Sequence, residues 1–200
     1  MTGLSTMRRD VAALAAADPR LDPGGPVMIE SLDPGFPGMI HLILGQQVSI
    51  EAADAMYAGL KALGPVTPDV ILSLDDATLR SRGFTRLKAE YARALAGAVR
   101  AGLDLIAVGE LDSDTAITEL TKVRGVGRWT AECYLLFSAG HRDVFPAGDL
   151  ALRVGWQEIA RLEAPPAEDE LRTFAAAWAP RRSAAAHLIW HHYLRTRNRR

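Results

Sequence analysis

Apolar residues along this chain recur mostly at helical spacing, in short stretches separated by Pro, Gly, Ser, Thr and Asp. An alanine-rich stretch from Thr6 to Ala17, stopped by Asp18-Pro19, predicts the first helix. Residues 19–38 carry Pro19, Pro23, Pro26, Pro34 and Pro37 and read mostly as loop. After the apolar run Met39–Leu44, Ser49 is placed to cap a helix reaching Leu63, with Ala53, Met56, Tyr57 and Leu60 on one face. Thr67-Pro68 starts a short helix through Leu74, and Asp75 or Asp76 starts another ending at Gly83. Thr85 to Ala101 predicts the longest regular helix, with Leu87, Tyr91, Leu95 and Val99 as its stripe. Ser113 caps the next helix; Arg128–Ala139 and Asp149–Leu162 follow. An acidic segment after Pro165-Pro166 opens a helix ending at Trp178, and Pro180 opens the last one, through Leu194. No period-two alternation long enough for a strand appears, so the predicted class is all-α.

The connection between the helix at 113 and the helix at 128 carries the chemistry. Gly125 and Gly127 bracket one apolar residue, Val126, and describe a tight hairpin whose glycines accept backbone angles other residues avoid. Amides at the start of the following helix, beside Lys122, Arg124 and Arg128, make a place for a phosphate. An isolated acid, Asp149, follows Trp129 by twenty residues. A phosphate-gripping hairpin with an acid downstream points to chemistry on a nucleic acid. Taken singly, a Gly-x-Gly is also a plain helix–helix turn, and Asp149 is also a plain helix cap.

The order of these parts resembles the DNA glycosylase superfamily that joins a helix-hairpin-helix, here about 113–139, to a Gly/Pro-containing loop, here Val144-Phe145-Pro146-Ala147-Gly148, and to an aspartate, here Asp149. Upstream, Leu42-Ile43-Leu44-Gly45-Gln46-Gln47-Val48-Ser49 is similar to the minor-groove segment of 3-methyladenine DNA glycosylase II-type members. Together they span about Asp33 to Leu194. The resemblance implies one glycosylase unit, 1–200, folded as two helical lobes with the active-site cleft between them. Lobe one would be 35–141, and lobe two 1–34 with 142–200.

It also implies roles. Asp149 would be the catalytic carboxylate, stabilising an oxocarbenium-like sugar and directing water. Gln46 and Gln47 would contact DNA, Gln47 filling the gap left by an extruded nucleotide. Lys122, Arg124, Gly125, Val126, Gly127 and Arg128 would meet the backbone. Trp129 stands where the superfamily's lyases carry the lysine that forms a Schiff base, so base release without strand cleavage is expected. The indole would stack on the flipped base, with a cation–π gain for N-alkylated purines such as 3-methyladenine and 7-methylguanine. Trp190 matches a second aromatic wall, and its pattern equally suits a core tryptophan. Where members of the family often place tyrosines in the pocket, this chain has Cys133 and Leu150; Tyr134, Phe137 or Trp178 would compensate only if rotated inward. Backbone carbonyls of Thr121, Val123 and Gly125 fall where the family holds a monovalent cation, Na+ or K+, and no other cofactor is required.

Composition narrows the remaining choices. No run approaches the roughly 18 apolar residues of a membrane span, and the Met1-Thr2-Gly3-Leu4 start lacks a signal pattern, so a cytoplasmic protein with no membrane partner is the expectation; the resemblance implies that it acts, most simply as a monomer, on duplex DNA that contains alkylated bases. One cysteine, Cys133, excludes an internal disulfide and a four-cysteine iron–sulfur cluster. His187 and His191 share a helical face but lack partners at metal-ligand spacing. The net charge of −1 hides an asymmetry: Arg181, Arg182, Arg195, Arg197, Arg199 and Arg200 cluster after Pro180 with no acid among them, leaving residues 1–179 at −7. That stretch reads either as part of a positive DNA-facing surface or, over Arg197–Arg200, as a solvated tail. Two rival functions stay open on these residues. One is a non-catalytic DNA-binding module; the other is a helical protein–protein adaptor, which leaves the basic hairpin unexplained.

Overall fold

In the computed structural model, which describes residues 3–197, helices joined by turns and by two longer irregular segments, 22–35 and 138–149, account for the described chain, and no strand occurs among the described residues. Residues 32–139 form one compact unit and residues 1–31 with 140–200 form the other. The first holds α2 (Phe36–Gly45), α3 (Ile50–Lys61), α4 (Pro68–Ser73), α5 (Asp76–Ser81), α6 (Arg86–Arg100), α7 (Leu105–Val108), α8 (Ser113–Leu120) and α9 (Arg128–Phe137). The second holds α1 (Gly3–Ala17), α10 (Leu150–Ala160), α11 (Glu168–Ala175) and α12 (Arg182–Thr196), with 3-10 turns at Pro19–Leu21 and Ala176–Trp178. No described helix is long and apolar enough to cross a membrane.

In the hairpin-bearing unit, α2 is apolar apart from His41, which pairs with Asp54, and packs against α3, α6 and α9, with Met39, Ile40, Ile43 and Leu44 fully buried. The helices around it start where side chains can accept first-turn amides. Ser49 caps α3 at 3.2 Å, Thr67 caps α4 at 3.3 Å, Asp75 caps α5 at 2.7 Å, and Thr85 caps α6 at 3.2 Å. Each such cap contributes about 1 kcal/mol.

Four details differ from the sequence reading. α2 begins at Phe36 rather than Met39, because Pro37 sits in its first turn, where a missing N–H leaves no bond unmade. α7 was not expected; Asp104 caps it through the amides of Ile106 and Ala107. α8 is capped by Asp112, not Ser113. The buried stripe of α6 is Lys88, Ala89, Ala92, Leu95 and Ala96, whereas Leu87 is 50% exposed. Alanines let α6 lie close to α4 and α2, and Lys88 turns inward because it has a buried carbonyl to meet.

In the other unit, α12 packs on α1 and α10. Gly155 permits the close approach of α10, since a Cβ there would stand 2.8 Å from Ile189 Cγ2. Trp156 and Trp178 meet edge to face at 4.8 Å in its core. Asp10 on α1 accepts both Arg142 Nε, at 2.6 Å, and Arg142 Nη2, at 2.7 Å.

Candidate nucleic-acid interface and catalytic aspartate

The hairpin between α8 and α9 is closed by Val126, whose N–H donates to the Val123 carbonyl at 3.0 Å. The Val123 and Val126 side chains are buried. Val126 therefore pins the turn; its amide and side chain are both spent inside the protein. Gly125 has φ +90°, and a Cβ there would overlap the Tyr91 ring. Gly127 does not use the conformational freedom that its type allows: it has φ −85° and ψ 174°, and a Cβ there would meet nothing within 4 Å. Its lack of a side chain matters outward. Gly127 offers no acceptor to the first-turn amides of α9, unlike the Ser, Thr and Asp caps elsewhere. An uncapped N-terminus with Arg128 and Trp129 in its first turn suits an anion.

The hairpin cations carry carboxylate partners. Lys122 meets Glu119 at 2.6 Å, Arg124 meets Glu90 at 2.8 Å, and Arg128 meets the buried Glu132 at 3.0 Å. The first two pairs are exposed, and such pairs are worth no more than about 1 kcal/mol, so opening them costs little. The arginines after Pro180 are used internally, contrary to an open basic face. Arg181 approaches Asp10 at 3.6 Å, Arg182 pairs with Asp143 at 2.8 Å, Arg195 donates to the Pro23 carbonyl at 2.8 Å, and Arg197 binds Glu158 at 2.9 Å and stacks on Tyr193. Arg199 and Arg200 lie outside the described residues.

Gln46 and Gln47, adjacent in sequence, part in space. Gln46 Nε2 donates to the Gly125 carbonyl at 3.0 Å and to Thr130 Oγ1 at 3.1 Å, so its amide faces the hairpin rather than outward as a DNA contact. Gln47 is exposed and has φ 59°, a left-handed conformation costing a non-glycine residue about 1–2 kcal/mol. The carbonyls expected to hold a monovalent cation fit that use. Those of Val123 and Gly125 already accept Val126 N–H and Gln46 Nε2, but a carbonyl has a second lone pair, and Thr121 ends α8 at the negative pole of its dipole.

Asp149 is the N-cap of α10. Its Oδ1 accepts the Leu152 N–H at 3.1 Å and the Trp190 indole N–H at 3.2 Å. Trp190, expected as a wall for a bound base, thus has its polar edge on the carboxylate. The loop leading to Asp149 is fastened to the start of α12. Arg182 Nε and Nη2 grip Asp143 at 2.8 and 2.9 Å, holding that carboxyl below the usual range. Asp143, six residues before Asp149, is therefore an anchor for the loop. Ser183 Oγ accepts the Val144 N–H at 3.1 Å and donates to the Val144 carbonyl at 3.0 Å. Nothing in the alanine-rich sequence around Ser183 marks it for this task.

The other pocket residues divide. Trp129 is half-buried and Leu150, next to Asp149, is 65% exposed, so both have surface to offer a ligand. Cys133 is 1% exposed and belongs to the core of α9's unit, contrary to its expected place in the pocket. Tyr134 is buried too, its hydroxyl donating to the Leu105 carbonyl at 2.8 Å, and Trp178 donates to Asp18 at 3.3 Å from within its own core. Neither replaces the absent tyrosines. His187 is buried against Trp190, with ring centroids 6.4 Å apart, and burial pushes its imidazole down to about 4.

Comparison with known proteins converges on one family. The family model described as HhH-GPD superfamily base excision DNA repair protein matches residues 40–181. DNA-3-methyladenine glycosylase 1 of Schizosaccharomyces pombe is 32% identical over 160 residues, covering 76% of this chain and 69% of the relative. The structure of that organism's 3-methyladenine DNA glycosylase (Mag1) in complex with abasic DNA superposes with a TM-score of 0.83 at 26% identity, covering 94% of this chain and 97% of that one. A DNA-3-methyladenine glycosidase from Bacillus halodurans gives a TM-score of 0.76 at 29% identity, covering 94% and 91%. Some relatives are longer: the chain spans 43% of the putative DNA-3-methyladenine glycosylase YfjP of Bacillus subtilis, at 30% identity over 62% of this chain. With hairpin, loop and aspartate all inside the matched region, the chain belongs to the HhH-GPD superfamily of base excision DNA repair proteins.

Proposed function

We propose that this protein is a monofunctional DNA glycosylase. It extrudes alkylated purines of the 3-methyladenine and 7-methylguanine type from duplex DNA and hydrolyses their N-glycosidic bond. The observation that carries this reading is Asp149, a carboxylate oriented by two N–H donors at the end of a loop fastened on both sides. Relatives named for 3-methyladenine excision support the substrate class.

In this reading the uncapped start of α9 and the hairpin cations hold the DNA backbone, which sets register without reading sequence. Gln47 enters the space vacated by the extruded nucleotide, and Trp129 stacks on the freed base. The C1′–N bond breaks with its electron pair leaving on the base. An N-alkylated purine is already cationic, so it departs as a neutral molecule and needs no general acid. Positive charge passes to the sugar, where Asp149 stabilises it and orients the water whose oxygen bonds to C1′. The water's proton goes to the carboxylate or to solvent, leaving an abasic site. A monovalent cation, when bound by the Thr121, Val123 and Gly125 carbonyls, would add positive charge where the hairpin meets a phosphate.

The test is base release from methylated duplex DNA by the native protein and by Asp149→Asn. The native chain is expected to release 3-methyladenine or 7-methylguanine. The variant is expected to release neither while binding duplex as well or more tightly, because a negative charge near phosphates has gone. Near-normal release by the variant would assign the chemistry elsewhere. Abasic products should break only after alkali or heat, and borohydride should trap no protein–DNA adduct, since Trp129 has no nucleophilic amine. Efficient trapping would overturn the monofunctional part and direct attention to Lys122.

A further inference from the structure

Gln46 holds a position that its neighbour's exposed side chain makes consequential. The turn between α2 and α3 comprises only residues 46–49, and it is fixed from three sides. Lys88, a buried lysine only 7% exposed, donates from Nζ to the Leu44 carbonyl at 2.6 Å and so ties down the end of α2. Ser49 accepts the Ala52 N–H and fixes the start of α3. Between them, the Gln46 side chain reaches across to the Gly125 carbonyl in the hairpin and to the buried Thr130 hydroxyl in the first turn of α9. Gln47 faces outward, at a positive φ within a turn that Val48 N–H closes on the Gly45 carbonyl at 3.5 Å.

We infer that Gln46 is a positioning residue that couples the hairpin's hold on the DNA backbone to the action of Gln47 on the nucleotide. This rests on the glycosylase reading above. The hairpin and the Gln47 turn lie in one unit and share a direct link through one amide, so a hairpin seated on phosphate presents Gln47 at a fixed height and angle. Without that amide the turn keeps its anchored ends and its own backbone bonds, such as Val48 N–H to the Gly45 carbonyl at 3.5 Å, but it loses its tie to the hairpin, so Gln47 is no longer held at a fixed height and angle relative to the phosphate grip. Gln46 need not touch DNA to do this.

A double-mutant cycle tests the inference. Gln46→Met keeps the length and volume of the side chain but removes the donor. Its single-turnover rate of base release from a duplex with one alkylated purine is expected to fall about tenfold, the equivalent of roughly one to two hydrogen bonds. Affinity for undamaged duplex, and its salt dependence, should stay within twofold. In combination with Gln47→Ala the losses should not multiply; the double variant should be no slower than Gln47→Ala alone. Thr130→Val, which removes one acceptor of the same amide, should repeat the pattern in milder form and serves if Gln46→Met does not fold. Multiplying losses, or a native rate in both Gln46→Met and Thr130→Val, overturn the coupling while leaving the glycosylase reading intact. No release by the native chain overturns that reading and the inference with it.

Discussion

Replacing Trp190 with phenylalanine separates two roles that one side chain can play. The indole N–H lies 3.2 Å from Asp149 Oδ1, and the same oxygen takes the Leu152 N–H at 3.1 Å. Phenylalanine keeps an aromatic ring, smaller than the indole, beside His187, but removes the donor. A hydrogen bond to a charged group contributes about 1.5–3 kcal/mol. At 3.2 Å, with a second donor still in place, the lower end applies. A loss of about 1.5 kcal/mol in the transition state corresponds to a roughly tenfold fall in kcat. Single-turnover release of an alkylated purine gives that rate, and fluorescence anisotropy gives the affinity for the same duplex under the same salt. The expected result is a slower chemical step with unchanged binding. Weaker binding with an unchanged rate would mean that Trp190 serves the base through its ring and that its bond to Asp149 contributes nothing to the reaction.

Two further substitutions separate the hairpin glycines. Gly127→Ala should leave thermal stability within about 0.5 kcal/mol of native, because its Cβ meets no protein atom, and should weaken binding to damaged and undamaged duplexes alike; a loss confined to damaged DNA would contradict a backbone-gripping role. Gly125→Ala should cost about 1–3 kcal/mol of stability in urea unfolding, through its φ of +90° and the Tyr91 ring behind it, and a neutral result would contradict that geometry. His187 gives a pH signature. Its folded value near 4 lies below the ordinary 6.5, so the unfolded chain takes up a proton that the native state refuses. That contribution to stability, about 3 kcal/mol in full, is present above pH 6.5, is lost as pH falls toward 4, and does not change further below. Urea titrations of the native protein against His187→Asn should differ in this window, and parallel pH profiles would remove His187 as the cause.

The elements legible in the sequence are those whose signals are local. Ser49, Thr67, Asp75 and Thr85 each cap the helix that follows within three residues, so their chemistry can be read without knowing what lies across the fold. Hairpin, loop and aspartate are legible for the same reason. The errors on α6 came from a competition that periodicity does not register. Leu87 fits a helical stripe as well as Lys88 fits a solvated face, but a carbonyl at the end of α2 draws the lysine inward. A small alanine face then packs more closely than a leucine face would.

Charge was the least legible quantity, and for a related reason. Six arginines after Pro180 invite a reading as a DNA-facing stripe, yet the four that are described find partners at Asp10, Pro23, Asp143 and Glu158, between 39 and 172 residues away. The same holds for the contacts that set the functional groups. Trp190 reaches Asp149 across 41 residues, Gln46 reaches Gly125 across 79, and Lys88 reaches Leu44 across 44. A sequence can therefore disclose that a hairpin and a carboxylate are present, because each is assembled by its immediate neighbours. How firmly each is held, and in what direction it points, depends on side chains whose partners only folding supplies. The separation has a consequence for substitution. Changes inside the motif should alter binding or chemistry outright, whereas changes at Trp190, Gln46 or Ser183 should spare the motif and reduce only the accuracy with which it is presented.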